Sequence, residues 1–525
     1  MRHLLFLFSL LLWAWTAESS LPEAHAPAPG GENVRAQSVS DGSRQSKSAI
    51  QTFLWQTLLL GRDPSLTLRA LTLAGSVADG QGSPTSVDLL IRNGYILTMD
   101  ASFNEFRPGF VAIRGSRIAA VGPMSEAARF AAKETIDAAG KIVMPGLINT
   151  HTHAPMTLFR GLGGDSDLME WLQKYIFPAE ARNVNPDLVK WGTQLACYEM
   201  IQSGTTTFID MYYFEDDLAA AVKAAGMRGV LGETIIDMAA PDNKTSRQAL
   251  SYTRKFIEHW RQDLMITPAV APHAAYTCSK ETLQQSQKLA NEFHVPLITH
   301  LSETETEVKN IRAKYGSTPA AYLDSFGFLQ DSLIAAHCVW ITDQEIPLLK
   351  KNGVGVAHNP ESNMKLASGV APLKKFLDAG IAVGLGTDGA ASNNNLDMFE
   401  EIDSMAKLHK LWNRDPAFLS AKEAVRIATR GGAEVLDRQQ DLGSLEPGKL
   451  ADMILVRATD APAIPMYDVY AQLAYALKGW NVDSSVINGK IVMRNRVVRT
   501  INFDVLRENV ERLRRQVVKS LALRQ

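Results

Sequence analysis

Two histidines one residue apart, His151 and His153 in "MPGLINTHTHAPMTLFRG", close a run that reads as a buried strand. In a strand, residues i and i+2 point to the same side, so this pair can offer two imidazoles to one point from a single rigid element. The plainer alternative is a pair of polar residues at the end of a core strand. Other groups able to do chemistry end similar apolar runs: Asp210 in "TTTFIDMY", Glu233 in "RGVLGETII", His273 in "ITPAVAPHA", His300 and Glu303 in "PLITHLSE". His337 in "LIAAHCVW", His358 in "GVGVAHNP" and Asp388 in "AVGLGTDG" complete the set. With His300 and Asp388 beside the first pair, three imidazoles and a carboxylate suit one zinc ion or another divalent metal such as iron or manganese, leaving room for a water. A metal of that kind lowers the pKa of a bound water toward about 7. Asp388 can bind the ion and also accept the water's proton. Glu303, just beyond its strand, can protonate a ring nitrogen while hydroxide attacks the adjacent carbon, and His337 can orient the water.

For these residues to meet, the elements that carry them must converge. Counting "GLINTHTH", eight short apolar runs recur between 147 and 435, preceded by helix-like stretches such as "NPDLVKWGTQLACYEMIQSG". Their polar ends recur about every 34 residues, close to the size of a βα unit. The expected fold is therefore α/β, a (β/α)8 TIM barrel whose strand ends open on one mouth. Alternating runs with turn dipeptides flank it at 86–146 and 436–500, and predict a small β-sandwich domain built from both sides of the barrel. The stretch 501–525 places Val505, Leu506, Val510, Leu513, Val517 and Leu521 at helical spacing, giving an amphipathic helix that packs on the barrel or on another subunit.

A barrel with a smaller companion would use a chain of 525 residues fully. Its 46% hydrophobic and 21% charged residues are ordinary for a globular protein. A net charge of −2 gives no electrostatic reason to propose nucleic acid or an anionic membrane as partner. Cys197, Cys278 and Cys338 form no C-x-x-C, so neither a disulfide framework nor a thiolate metal site is indicated. At the start, "MRHLLFLFSLLLWAWTAESS" has the layout of a secretory signal peptide, residues 1–20. Its apolar run is shorter than the about 20 residues that span a bilayer, so no stable membrane anchor is expected. A true leader would send the chain to the periplasm or beyond, and otherwise the chain is expected in the cytoplasm. Residues 21–85, rich in Pro, Gly, Ser, Ala and Gln around "FLWQTLLLG", read as a low-complexity or partly ordered extension.

The span from about 87 to 500 resembles the amidohydrolase superfamily, in its methylthioadenosine/S-adenosylhomocysteine deaminase and chlorohydrolase branch. The runs that carry the resemblance are "MPGLINTHTHAPMTLFRG", "WLQKYIFPAE", "GTTTFIDMYY", "APHAAYTCS", "THLSETETE", "AAHCVWI", "AHNPESNMKLASGVAP" and "GLGTDGAASNNNLDM". The resemblance implies that His151, His153, His300 and Asp388 hold one zinc, that Glu303 and Asp388 shuttle protons, and that His337 positions the hydroxide. It further implies that Glu180 in "FPAE" bonds a ribose, that His273 contacts substrate, and that the protein is a homo-oligomer. Members that accept S-adenosylhomocysteine resemble one another in an arginine where this chain has Glu233, which would repel a carboxylate tail. The implied activity is hydrolytic deamination of an amino-substituted heterocycle, foremost an adenine nucleoside such as methylthioadenosine or adenosine. Two alternatives stay open: dechlorination or deamination of a triazine, pyrimidine or guanine-like substrate, and a catalytically silent barrel used for binding or assembly.

Overall fold

Eight short apolar runs form parallel strands, hydrogen-bonded in sequence order and closed by the pairing of Leu385 with Asn149. They are Leu147–Thr152, Thr205–Tyr212, Arg228–Ile235, Ile266–Pro272, Leu297–Leu301, Leu333–His337, Gly355–His358 and Val383–Leu385. The computed structural model describes residues 84–522 apart from residue 167. The leader at 1–20 and nearly all of the extension at 21–85 lie outside the described residues.

The strands alternate between two apolar layers. Ile148, Ile209, Val230, Ala271, Ile298 and Ile334 pack together inside the barrel. Phe208, Leu231, Val270, Leu297 and Leu333 belong to the larger core that the strands share with the surrounding helices. Strands buried on both faces read as continuous hydrophobic runs, which is why the sequence shows them so clearly. The connecting helices start at side-chain caps: Asn185, Thr245, Ser279 and Thr304 each accept a hydrogen bond from the backbone N–H three residues on. Helix Pro186–Ser203 ends on Gly204 at φ 93, a left-handed cap that suits glycine and hands the chain to the second strand.

The flanking segments form one mixed sheet of nine strands. The two halves of the expected sandwich are thus joined by hydrogen bonds, where Lys141–Pro145 pairs antiparallel with Met453–Arg457. Apolar clusters lie on both faces, with Leu89, Ile91 and Val111 in one and Leu90, Phe110 and Ala112 in the other. This sheet also sets the start of the histidine-bearing strand. Lys141–Pro145 runs through Gly146 directly into Leu147–Thr152, and a Cβ on Gly146 would lie 2.1 Å from Oγ1 of Thr206. Buried Arg228 on the third barrel strand donates to Asp452 of the sheet at 2.9 Å.

The last helix, Phe503–Ala522, buries Leu506, Leu513 and Val517 and leaves Val505 exposed. It packs on helices Phe177–Asn183 and Pro186–Ser203. Among the described residues, no helix is long and apolar enough to cross a membrane.

Candidate active site

At the C-terminal end of the barrel the imidazoles of His151 and His153 meet with ring centroids 4.8 Å apart, and His151 lies 4.9 Å from His300. The carboxylate of Asp388 is 3.3 Å from Nε2 of His153 and 3.6 Å from Nε2 of His151. Two overlapping groups, His151–His153–His300 and His151–His337–Asp388, bring their candidate ligand atoms within 4.8 Å of one another. The ring orientations are set by what the far nitrogens do. Nδ1–H of His153 donates to the Met211 carbonyl at 2.7 Å, and Nδ1–H of His300 donates to the His273 carbonyl at 2.9 Å. A carbonyl cannot donate, so Nδ1 carries a proton in both rings and Nε2 is the nitrogen turned toward the cluster, the arrangement of ligating histidines.

His151 tests whether a cation fits. It is 1% exposed, and neither ring nitrogen has a hydrogen-bond partner among the described residues. A buried polar atom left unpaired is costly, and a cation among three imidazoles and a carboxylate would give one of those two nitrogens a partner. Burial and the neighbouring imidazoles hold His151 and His300 well below the usual histidine range, in the neutral form that ligates. Burial would lower His153 too, but the carboxylate of Asp388 overrides it and pushes the ring up to about 9. Asp388 answers in the opposite direction. Burial would raise it, yet the bond to His153 and the nearby rings hold it well below the carboxylate range. The site residues fit a divalent metal.

Backbone strain aims several of these groups. His337, Cys338, Ser302 and Asp388 take φ of 70, 50, 50 and 63, the left-handed region that non-glycine residues rarely adopt. The hydroxyls of Ser362 and Ser392 donate to Oδ2 of Asp388 at 2.7 and 2.8 Å, and the Gly389 N–H donates to Oδ1 at 2.7 Å. Nδ1–H of His337 donates to Asn363 at 2.9 Å, which leaves its Nε2 facing Glu303 at 3.9 Å. Burial raises Glu303 above the usual glutamate range, so its proton is retained closer to neutral pH.

A cavity of about 620 Å³, its open mouth included, adjoins the cluster and is lined by His153, His273, His300, Glu303, His337 and Asp388. Glu180 also lines it, and burial pushes this carboxyl up to about 7 although the Tyr212 hydroxyl donates to it at 2.7 Å. His273 bonds Thr277 through Nδ1 at 2.9 Å and is pushed down to about 3 by burial and the nearby histidines. Leu168, Trp171, Leu172, Ile176 and Phe177 cover one side as a continuous apolar cap.

Three strand-end residues, Glu233, His358 and Asp210, do not line this cavity, and parity explains the first two. Val230 of the third strand faces the barrel interior and Thr234 lines the cavity, whereas Leu231 and Glu233 point to the helices. Glu233 accepts from Asn243 at 2.9 Å and from the Glu215 N–H at 3.4 Å, so it does not line the cavity wall. His358 likewise turns outward to pair with His409 across 2.9 Å between their Nε2 atoms. Asp210 serves the first strand's exit, accepting from the Thr152 hydroxyl at 2.5 Å and the Ala154 N–H at 2.6 Å. Conversely, Tyr212, Thr234, Ser362, Asn363 and Ser392 reach or support the site without having been singled out from sequence. The polar run "HNPESN" directly after the seventh strand is the signal that marks Ser362 and Asn363.

The 5-methylthioadenosine/S-adenosylhomocysteine deaminase of Syntrophobacter fumaroxidans is 49% identical over 431 residues, which is 82% of this chain and 98% of that protein. The 5'-deoxyadenosine deaminase of Methanocaldococcus jannaschii is 45% identical over 406 residues, covering 77% of this chain and 95% of that one. Among solved structures, an adenosine deaminase from Xanthomonas campestris with bound zinc matches with a TM-score of 0.82 at 37% identity, over 83% of this chain and 100% of that chain. The model of the amidohydrolase family matches residues 142–492, from strand Lys141–Pro145 to strand Lys490–Arg494 of the flanking sheet, and the chain belongs to that family.

Proposed function

We propose that the protein is a zinc-dependent hydrolytic deaminase that converts a 6-aminopurine nucleoside with an uncharged 5' substituent, of the 5'-methylthioadenosine or 5'-deoxyadenosine kind, to the 6-oxo nucleoside and ammonia. The observation that carries this reading is Glu303: a buried carboxyl with a raised pKa, 3.9 Å from His337 and beside the histidine–aspartate cluster. Deamination of a ring amidine needs an acid at the ring nitrogen and a base for water on the neighbouring carbon. His151, His153, His300 and Asp388 would hold the zinc, which when bound supplies a water acidic enough to lose its proton near neutral pH. Asp388 and His337 are the bases placed to take that proton. Glu303 gives its proton to the ring nitrogen as the new C–O bond forms; the proton taken from water then passes to the amino group, the C–N bond breaks with loss of ammonia, and the hydroxyl proton returns to Glu303 as the C=O forms.

The rest of the cavity supports a nucleoside. Glu180, fixed by Tyr212, offers carboxylate oxygens to ribose hydroxyls, and His273 lines the same cavity with its ring 4.7 Å from that of His300. The apolar cap suits a methylthio or methyl group. No lysine or arginine lines the cavity among the described residues, so a carboxylate-bearing tail would be desolvated without a partner there. Since Glu233 faces the helices, selection against such a tail falls to the cavity wall itself.

Ammonia release by the purified, zinc-loaded chain tests the proposal. We expect turnover of 5'-methylthioadenosine and 5'-deoxyadenosine with kcat/KM at least about tenfold above that for S-adenosylhomocysteine, a difference of about 1.4 kcal/mol. Absence of ammonia from every aminopurine, with zinc bound at one per chain, would overturn it. Turnover of a 6-chloropurine nucleoside without turnover of its amino counterpart would replace deamination by dechlorination.

A further inference from the structure

Glu307 lies in the first turn of helix Glu305–Tyr315 and is 5% exposed. It does not line the cavity. Its carboxylate accepts from two successive backbone N–H groups, Ser302 at 3.0 Å and Glu303 at 2.7 Å. The opposite side of the same turn is held by the exit of the sixth strand. There the Cys338 N–H donates to the Leu301 carbonyl at 3.0 Å, and the Trp340 N–H donates to the Ser302 carbonyl at 2.8 Å. Ser302 sits at φ 50 and Cys338 and His337 at 50 and 70, so both turns occupy backbone regions that persist only when surrounding bonds over-determine them. The two turns carry Glu303 and His337, whose side chains meet at 3.9 Å.

We propose that Glu307 is a positioning residue for the ring-protonating acid: by gripping the peptide N–H groups of Ser302 and Glu303 it locks the Glu303 backbone against the strand exit that carries His337. The inference rests on the reading of Glu303 as the general acid. A glutamate reaches its substrate through three rotatable bonds, so backbone placement decides where its proton is delivered, and a misplacement of about 1 Å can cost roughly a hundredfold in rate. The geometry also accounts for a buried carboxylate outside the cavity. Two peptide N–H groups pointing at the same place need two acceptor oxygens on one short arm, which glutamate supplies and glutamine does not.

The test is a double-mutant cycle on the metal-loaded full chain, using Glu307→Gln and Glu303→Gln with ammonia release followed long enough to read residual rates. Glu307→Gln should lower kcat by about tenfold to a hundredfold with KM changed less than about threefold, and should cause little further loss in the Glu303→Gln background. Zinc content and the thermal transition report whether the variant is loaded and folded. If Glu307→Gln does not fold, Glu307→Asp takes its place, since it keeps the carboxyl group but on an arm one carbon shorter. Equal fold losses in both backgrounds, or a loss residing in KM, would overturn the proposal. Full activity of Glu303→Gln would instead sink the reading of Glu303, which keeps the two failures apart.

Discussion

A carboxyl that must hold a proton near neutral pH and then release it needs a site that lifts its pKa, and burial does this for both Glu303 and Glu180. Glu303→Gln keeps the shape but removes the proton, so kcat should fall by about 10² to 10⁴, with zinc content unchanged by elemental analysis. For Glu180 the consequence is one of stability. Its pKa is about 7 in the folded chain against 4.5 for the free group, so the folded state binds the proton more tightly. The stability it contributes is complete below pH 4.5 and is lost as the pH rises toward 7. Glu180→Gln should therefore gain on the wild type between those limits, by up to about 3 kcal/mol in chemical unfolding at pH 8 relative to pH 4.5. Identical pH profiles for the two proteins would refute that assignment. The clustered histidines, Asp388 and Glu303 were legible as residues because they end apolar runs. Glu233 and His358 also end apolar runs, and spacing does not tell which face of the strand they occupy.

The elements do two separate jobs. The strands deliver polar ends to one mouth, and the left-handed turns at Ser302, His337 and Asp388 then re-aim what the strand parity alone would leave pointing elsewhere. The helical cap closes the cavity with apolar surface. Trp171 is 5% exposed and its indole N–H is spent on the Leu162 carbonyl at 3.1 Å, so it presents an apolar face to the cavity. Trp171→Ala should raise KM for 5'-methylthioadenosine by about tenfold while changing kcat less than about threefold, as expected when burial of a small apolar tail is lost. A loss confined to kcat would show that the cap acts on the chemistry rather than on the tail. The cap's helix-like composition is visible in "WLQKYIFPAE", but its place over the cavity is not, because the contact it makes is with elements far along the chain.

At the scale of the molecule, barrel and flanking sheet are joined by the Arg228–Asp452 pair, both side chains at most 4% exposed. Arg228→Leu would leave Asp452 charged and buried, so unfolding stability should fall by about 3 to 5 kcal/mol, readable as a lower thermal midpoint. The helix Phe503–Ala522 packs on the helix that carries Glu180, a residue of the cavity lining. We propose that residues 1–20 act as an export leader. Mass measurement of the mature N-terminus after expression in a Gram-negative host should find it removed, and an intact Met1 start in exported protein would refute this.

Sequence by itself determined the barrel and the histidines and carboxylates that the structure gathers at its mouth, because a buried parallel strand must be apolar throughout and any polar residue at its end stands out. It also determined the pairing of the flanking segments into one sheet domain, since both read as alternating strands. Tertiary structure alone decided which strand-end groups share the cavity, which serine and asparagine side chains hold Asp388 and His337, and that Glu307 grips the turn of Glu303. Those outcomes depend on strand parity, left-handed turns and bonds between elements that lie far apart along the chain, and side-chain order along the sequence does not encode distance across a closed barrel.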